Sequence, residues 1–460
     1  MADINPDSHA VATSRDGRTF QIASLPETAF GVGDIVELVA RSGEIQLAQI
    51  EHEDTSGVAT GRLLGSVHDG KVDAATTHPF TSGDVSIASR ATVAAMHESA
   101  RATLEVGTRI TAPGGPARLL PHRFNRHTFW CGQSGSGKTY ALGVLLEQLL
   151  VNTELPLVIL DPNSDFIRLG ELRDTACGPA AEALGRREIR VLRPARDASE
   201  TLRARFRDLS PRSKAAVLRL DPIADREEYN TLLHLARNVT VDATPSMVPT
   251  LLASDEPGRR ALGLRLSNLG VVDWEVWALD DIAATDVIET RPDATVLDLG
   301  GFSTPDQQLV IALSVLDDLW EKRESRRPVL LVIDEAHNLC SPELDSPLAV
   351  AVRGRIIQIA AEGRKFGLWL LLSTQRPSKV HAGIISQCDN LALMKMSSPL
   401  DLEGLAKYFS YAPQALLARS ATFRQGEALF AGGFVPFPAL LRVGQRLTPE
   451  GGSDVRVPLR

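Results

Sequence analysis

The sequence predicts an α/β protein with a mostly parallel sheet, an N-terminal small β-barrel and a helical insertion. Three observations lead to this fold class. Short alternating apolar runs between closely spaced glycines fill the N-terminal part, which is typical of antiparallel barrels. Continuous apolar strands alternating with helical segments follow, as in parallel sheets that are covered on both faces. A long stretch with helical spacing separates two groups of those strands.

The predicted barrel extends from residue 19 to residue 110. Its apolar runs include Phe20 to Ile22, Asp34 to Val39 and Ile45 to Ile50, and a short helix is expected near residues 89–101. Residues 1–18 are polar, and we expect them to form a disordered lead-in. Residues 107–121 are rich in glycine and proline, and we expect them to be a linker.

The α/β core is predicted in two segments, residues 111–168 and 293–446, with a tail at 447–460. Its strands are predicted at residues 128–131, 157–160, 295–299, 329–333 and 368–373. Helices are expected at about 138–151 and 348–364. Residues 169–292 form the predicted helical insertion, since they are rich in Arg, Leu, Ala and Glu at helical spacing.

Composition excludes several classes of protein. The four cysteines have no CxxC spacing, so a disulfide framework or a zinc site is not expected, and a reducing cytoplasm is the expected location. No apolar run reaches the roughly 18 residues that cross a membrane, and the polar N-terminus does not resemble a signal peptide. The net charge of −8 excludes a surface that is basic everywhere, but not a local basic lining.

A glycine loop carries the strongest functional signal. It comprises Gly132, Gln133, Ser134, Gly135, Ser136, Gly137, Lys138 and Thr139. The loop follows an apolar strand and opens a helix, which is the context in which this motif binds nucleotide phosphates. We therefore predict a RecA-like ATPase core that binds ATP, with Lys138 on the β and γ phosphates and the Thr139 hydroxyl on Mg²⁺.

Two acids follow the apolar strand at 330–333. They emerge at the carboxyl end of the strand, where ligands bind in open α/β sheets. We expect Asp334 to serve Mg²⁺ and Glu335 to position or deprotonate the attacking water. The Asp-Glu-Ala-His string also occurs in two-lobed helicases, but only 460 − 337 = 123 residues follow His337, with no second arginine motif.

Four further residues are candidates for the same site. Gln375 ends the strand at 368–373 and is a candidate sensor of the γ phosphate, although a polar turn is the alternative. Arg364 and Arg126 are candidates for an arginine supplied by a neighbouring subunit, and helix-end or surface arginines are the alternative. Asp165, in the acidic turn that begins at Asp161, either shapes the pocket or caps the turn.

The chain resembles the HerA/FtsK group of ring ATPases, and the HerA family most closely, over about residues 19–446. The matching stretches are Asn125-Arg126-His127, Asp161-Pro162, Glu362 to Leu368, Ser373 to Ser378, Ser386 to Asn390, Gly426-Glu427-Ala428 and Gly432-Gly433. At residues 163–166 the family usually has His, Gly, Glu and Tyr, whereas this chain has Asn, Ser, Asp and Phe. Asp165 would keep the acid with a shorter reach.

The resemblance implies a homo-hexameric ring with Arg364 as the arginine finger and Arg126 as a second arginine at the subunit interface. It implies an ATP-driven translocase on double-stranded DNA. It also implies a partner at the N-terminal barrel, which is a NurA-like nuclease in DNA end processing, or a sirtuin-like or nuclease effector in antiviral defence. The alternatives are a nucleotide-gated scaffold with little DNA motion and a conjugation-type ATPase of the same clan.

Overall fold

The computed structural model describes residues 10–23, 30–195, 200–238 and 247–452. The chain divides into two compact units, each made from separate stretches of sequence. The first unit comprises residues 1–153, 375–378 and 388–446, and the second comprises residues 154–374, 379–387 and 447–460. The boundary after residue 153 lies inside the predicted core segment 111–168, because the helix after the glycine loop belongs to the first unit and the next strand to the second.

The first unit begins with the predicted β-barrel. Its described strands are β1 (Val11–Ser14), β2 (Thr19–Ile22), β3 (Ile35–Ala40), β4 (Ile45–Glu53), β5 (Ala59–His68), β6 (Lys71–Asp73) and β7 (Phe80–Ile87). They are antiparallel in the order β2-β1-β7-β3-β4-β5, and β5 also pairs with β2, so these six strands close on themselves. The short strand β6 extends the sheet from β5.

The barrel core follows from the alternation that the sequence shows. In β1 and β2 every second residue is buried, because successive side chains of a strand point to opposite faces. Strand β1 lies in the segment that we expected to be a disordered lead-in, and that expectation is wrong for Val11–Ser14. Its small and polar residues give little hydrophobic signal, but its backbone pairs with both β2 and β7.

A helix and a hairpin follow the barrel. The predicted helix is α1 (Arg90–Ser99), and the Ser89 hydroxyl accepts the N–H of Thr92 at its start. The expected linker is instead largely a hairpin of β8 (Leu104–Arg109) and β9 (Gly115–Leu119). Glycines and prolines predict a turn correctly, but the turn here connects two paired strands, and β8 also pairs with β18 (Ala439–Val443).

The first unit also holds the strand that precedes the glycine loop. The strand order is β10-β16-β17-β18-β8-β9, with β10 (His127–Cys131) parallel to β16 (Cys388–Leu393) and β17 (Glu427–Gly432) beside β18. Helix α2 (Lys138–Asn152) follows the loop, within a residue of the predicted bounds. The remaining described helices of this unit are α13 (Pro399–Tyr408) and α14 (Gln414–Arg419).

The second unit contains a parallel sheet. Its strand order is β12-β13-β11-β14-β15, with β11 (Leu157–Asp161), β12 (Ile189–Leu192), β13 (Ala294–Asp298), β14 (Val329–Ile333) and β15 (Leu368–Thr374). Every residue of β11, β13 and β14 is buried, which is why these strands appear as continuous apolar runs in the sequence. The helices beside them include α9 (Pro305–Glu321), α10 (His337–Cys340), α11 (Pro347–Glu362) and α12 (Ala382–Ile385).

Helices are the main regular elements among the described residues of the predicted insertion. Its helices are α3 (Pro179–Leu184), α4 (Pro211–Val217), α5 (Arg226–Asn238), α6 (Met247–Leu252), α7 (Pro257–Leu269) and α8 (Ala284–Glu289). The segment also contains a strand that was not predicted, β12, which lies at the edge of the sheet and pairs with β13. A buried contact attaches α4 to the core, since the Ser213 hydroxyl donates to Asp317, which also pairs with Arg355 at 2.8 Å.

The described part of the predicted tail packs within the second unit. Arg173 donates its N–H to the carbonyl of Leu447 at 2.9 Å, and Gly451 donates to the carbonyl of Asp165 at 3.0 Å. Thr448 is fully buried. Residues 447–452 therefore contribute to the fold rather than trailing from it. In the described ranges, no helix combines the length and the apolar character needed to cross a membrane.

Candidate functional site

The glycine loop of the first unit has the backbone of a phosphate cradle. It connects the buried strand β10 to α2, whose first residue is Lys138. Gly135 and Gly137 have φ values of +74° and +87°, which residues with a side chain rarely adopt. A Cβ on Gly132 would lie 2.5 Å from the Cβ of Met394, so a larger residue does not fit there without movement.

Hydrogen bonds from neighbouring segments hold the loop in place. The N–H of Gln133 donates to the carbonyl of Lys395 at 2.9 Å, and the Ser397 hydroxyl donates to Gln133 Oε1 at 2.6 Å. The N–H of Gly426 donates to the carbonyl of Ser136 at 3.0 Å. Both the backbone N–H and the side chain of Gln133 are therefore engaged in anchoring the loop.

The loop has the donors that an anionic phosphate requires. Ser136 Oγ is buried and has no hydrogen-bond partner among the described residues. Lys138 is only 4% exposed at the N-terminus of α2, where the unpaired amides and the helix dipole favour negative charge. An orphan hydroxyl, a buried amine and open glycine backbone together fit a nucleotide phosphate.

The acid pair lies at the carboxyl end of the parallel sheet in the second unit. Asp334 and Glu335 follow β14, and both are buried. The Ser373 hydroxyl, near the end of β15, donates to Asp334 Oδ1 at 2.6 Å, and the N–H of Ala336 donates to the carbonyl of Ser373 at 2.8 Å. The two strand ends are therefore fastened to each other beside the acids.

Two more carboxylates lie close to Asp334. Asp161, Asp165 and Asp334 each have a carboxylate oxygen within 4.8 Å of one another. Asp161 also accepts the backbone N–H groups of Asn163, Asp165 and Phe166, at 3.3, 3.0 and 2.8 Å. Asp161 thus caps the turn, while Asp165 lies among the clustered acids. Carboxylate oxygens at this spacing fit a hard divalent cation such as Mg²⁺.

Burial raises the pKa of Asp161 to about 7. The backbone N–H donors of Phe166 and Asp165 act in the opposite direction, and the neighbouring carboxylates of Asp334 and Asp165 raise the pKa further. Close carboxylates cannot all ionise cheaply in a buried place, so one of them retains a proton near neutral pH unless a cation joins them.

Glu335 adopts a strained backbone conformation. Its φ of +44° lies in the left-handed region, which costs a residue with a side chain on the order of 1–3 kcal/mol. Its carboxylate oxygen Oε2 lies 3.2 Å from Nδ1 of His337, and its side chain is only 5% exposed. Strain of this kind persists where surrounding contacts determine the backbone, and it is often found at functional positions.

The two candidate arginines lie at the opposite ends of their strands. Arg126 precedes β10 whereas the glycine loop follows it, so roughly 16 Å of strand separates them. Arg126 Nε lies 3.5 Å from Asp389 Oδ2. Arg364 precedes β15, whereas Ser373 and the acids lie at its other end, roughly 20 Å away. Arg126 therefore lies apart from the glycine loop of its own unit, and Arg364 lies apart from the acids of its own unit.

Arg364 does not end an α-helix, contrary to the sequence prediction. Helix α11 ends at Glu362, and a 3₁₀ turn, Gly363–Phe366, carries Arg364. Gly363 approaches the start of β15 closely, because a Cβ on Gly363 would lie 2.9 Å from the carbonyl oxygen of Leu368. Phe366 in the same turn packs edge-on against Trp320, with ring centroids 6.2 Å apart.

Gln375 directly follows β15 and is half-buried. It belongs to the first unit, whereas Asp334 and Glu335 belong to the second. Sequence reasoning missed the contact of Ser373 with Asp334 and the contacts of His337 with Glu335 and Thr374. The signal for His337 was its position two residues after Glu335, at the start of α10.

The fold resembles that of two solved ATPase structures. VirB4 of Thermoanaerobacter pseudethanolicus matches with a TM-score of 0.51 at 15% identity, over 75% of this chain and 96% of VirB4. The bacterial conjugative coupling protein TrwB matches with a TM-score of 0.51 at 16% identity, over 78% of this chain and 92% of TrwB. The chain therefore has the fold of P-loop ATPases, with its glycine loop between a buried strand and a helix.

Comparison with known sequences shows which family the chain resembles. A family model described as "Helicase HerA, central domain" matches residues 104–250, which include the glycine loop. The DNA double-strand break repair helicase HerA of Pyrococcus furiosus is 23% identical over 425 residues, covering 77% of this chain and 73% of the relative. Over these regions the chain is similar to the HerA family of helicases.

Other relatives match over shorter regions. A probable helicase of Methanocaldococcus jannaschii is 31% identical over 152 residues, which is 32% of this chain and 29% of the relative. HerA of Sulfurisphaera tokodaii is 34% identical over 127 residues, which is 28% of this chain and 25% of the relative. The chain thus covers less than a third of each of these two relatives.

The raised pKa of Asp161 predicts a pH-dependent stability. Its ordinary value is 3.8 and its value in the fold is about 7, so the folded protein binds the extra proton between these pH values. The contribution of Asp161 to the free energy of unfolding should therefore fall as the pH rises through that window, by about 1.4 kcal/mol per pH unit. Asp161→Asn should flatten this dependence, measured by urea unfolding at pH 5 and pH 8 in EDTA. The exposed Asp69→Asn variant is the control, and equal slopes in all three proteins would refute the assignment.

Proposed function

We propose that this chain hydrolyses ATP with Mg²⁺. The geometry of the glycine loop carries the proposal, because its open glycine backbone, the buried Ser136 hydroxyl and Lys138 suit a triphosphate. Thr139 and Asp334 would hold Mg²⁺, which would neutralise charge on the phosphates. Glu335 would orient the attacking water and take up its proton, and Gln375 would sense the γ phosphate.

We propose that the arginines act between copies of the chain in a homo-hexamer. Arg126 lies at the end of β10 opposite to the glycine loop, and Arg364 lies at the end of β15 opposite to the acids. This separation supports a role in trans for both arginines. An arginine that stabilises charge on the transferred phosphoryl group accelerates such reactions about 10³- to 10⁵-fold. Each ATP would then be hydrolysed at an interface between subunits, which links hydrolysis to movement within the ring.

The work performed by this hydrolysis would be translocation along double-stranded DNA. Curated HerA relatives are described as DNA double-strand break repair helicases, which supports DNA as the substrate. Contacts would be chiefly to phosphates, and binding would weaken with salt. We propose further that a nuclease of the NurA type, or a sirtuin-like or nuclease defence effector, docks at the N-terminal barrel.

Lys138→Ala should reduce ATP hydrolysis to background, because the change removes the charge that contacts the β and γ phosphates. Steady-state phosphate release in the presence of linear duplex DNA measures this. Lys71→Ala, which removes an exposed lysine of the barrel strand β6, is the matched control and should retain wild-type turnover. Hydrolysis near the wild-type rate in Lys138→Ala would overturn the proposed site.

Glu335→Gln should bind ATP and DNA but neither hydrolyse ATP nor move on DNA, because the amide cannot accept the proton of the attacking water. Displacement of a triplex-forming oligonucleotide from duplex DNA measures movement, and a fluorescent ATP analogue measures binding. Displacement by the wild type but not by the variant supports a motor. If the wild type hydrolyses ATP but displaces no oligonucleotide, a nucleotide-gated scaffold is the better description.

Mixed rings test the role of Arg364. Arg364→Ala subunits and Lys138→Ala subunits should each be inactive alone, because each lacks one half of every interface site. Mixing them should restore part of the hydrolysis, since some interfaces then pair an intact loop with an intact arginine. Mass measurement must confirm mixed rings, and no recovery in verified mixed rings would show that Arg364 does not act in trans.

A further inference from the structure

The turn between β14 and α10 holds Glu335 in an unusual conformation. Its φ is +44°, whereas residues with side chains rarely have positive φ. Backbone hydrogen bonds on both sides fix the turn, because Ala336 donates to the carbonyl of Ser373 at 2.8 Å and Asn338 donates to that of Glu335 at 2.8 Å. The backbone therefore determines where the Glu335 side chain starts, and side-chain contacts determine where its carboxylate points.

One ring nitrogen of His337 lies between two partners. Nδ1 is 3.2 Å from Glu335 Oε2 and 3.1 Å from Thr374 Oγ1. An ionised carboxylate can only accept, so the contact with Glu335 is favourable when Nδ1 carries the proton. The same N–H then also faces the Thr374 hydroxyl, which can accept it through a lone pair. This assignment of the tautomer follows from the carboxylate beside it.

We propose that His337 is a positioning residue for Glu335, and that Thr374 fixes His337 in turn. The inference rests on the proposed function, in which Glu335 orients the attacking water. The imidazole holds the carboxylate through Nδ1 in a pocket where Glu335 is 5% exposed and His337 19% exposed. His337 contacts neither substrate nor metal in this role, and it acts through the direction it gives to the carboxylate.

The same contacts link Glu335 to the end of β15. Thr374 is the last residue of that strand, and Gln375, the proposed γ-phosphate sensor, follows it directly in the chain. A shift of the strand end would move the Thr374 hydroxyl and thereby change the partner that His337 retains. The nucleotide would then influence the direction of the Glu335 carboxylate through Gln375, the adjacent Thr374 and the two contacts of His337.

Two substitutions of His337 separate positioning from general packing. In His337→Asn the amide nitrogen stands as many bonds from Cα as Nδ1 does, so a donor to Glu335 is kept. In His337→Gln the amide nitrogen corresponds to Nε2, so the donor is displaced although the side chain is larger. We expect kcat for ATP to stay within about threefold of wild type in His337→Asn and to fall roughly tenfold to hundredfold in His337→Gln, because misplacement of about 1 Å has effects of this size.

KM for ATP and the affinity for a fluorescent ATP analogue should be unchanged in both variants, because His337 acts on the water-orienting residue and not on nucleotide binding. Thr374→Val, which removes the hydroxyl at constant shape, should lower kcat as His337→Gln does, and Thr374→Ser should not. Equal kcat in His337→Asn and His337→Gln, or a loss that appears in KM, would overturn the inference. Thermal unfolding and ring mass confirm that each variant is folded and assembled.

A double substitution distinguishes this inference from the proposed function. His337→Gln should lower kcat by a smaller factor in a Glu335→Asp protein, whose shorter carboxylate retains measurable hydrolysis, than in the wild type, because that carboxylate is already displaced from the position that His337 gives it. If Lys138→Ala abolishes hydrolysis but His337→Gln matches wild type, the inference fails and the proposed function stands. If Lys138→Ala retains hydrolysis, the proposed function itself fails.

Discussion

Asp161 is the last residue of β11, and Asp334 directly follows the adjacent parallel strand β14. Their carboxylates therefore lie close together in a buried place where little water can solvate them. Uncompensated negative charge there would be costly. Backbone N–H groups donate to Asp161, the Ser373 hydroxyl donates to Asp334, and the pKa of Asp161 rises. These accommodations shape the turn after β11 and fasten β15 to β14. They also leave carboxylate oxygens of Asp161, Asp165 and Asp334 within 4.8 Å of one another, close enough for a divalent cation to contact more than one of them.

In each unit, chemically different groups lie at the two ends of a strand. In the second unit the carboxyl ends of β11 and β14 carry the acids, while the turn with Arg364 lies at the amino end of β15. In the first unit β10 separates Arg126 from the glycine loop in the same way. A rigid strand cannot bend to bring its two ends together, so within each unit the arginine stays apart from the glycine loop or the acids at the other end of the strand.

The sequence predicted best what burial determines. The buried strands β11, β13 and β14 appear as continuous apolar runs, and their predicted bounds agree with the structure within about one residue. The glycine loop was predictable for a related reason, since its spacing is imposed by the backbone around a phosphate. Predictions failed where pairing is decided elsewhere in the chain. Strands β1 and β12 have weak side-chain signals, and the turn carrying Arg364 closely approaches the start of β15.

Side-chain contacts around the acid pair were outside the reach of sequence reasoning. The contact between His337 and Glu335 depends on a positive φ at Glu335, for which a glutamate gives no local signal. The partner of Asp334 comes from another strand, 39 positions later. Asp161 combines both roles that its sequence context left open, because it caps the turn after β11 and also lies beside Asp334.

The segment after Arg446 has a practical meaning for anyone who handles this protein. Gly451 donates to the carbonyl of Asp165, and a side chain at this position would start 2.0 Å from the carbonyl oxygen of Ser164. The segment around Gly451 therefore packs directly against the turn that carries the acids. An affinity tag or a fluorescent label inserted just after residue 446, or truncation of the chain there, would remove or shift these contacts beside the acidic cluster. The sequence alone does not indicate this effect.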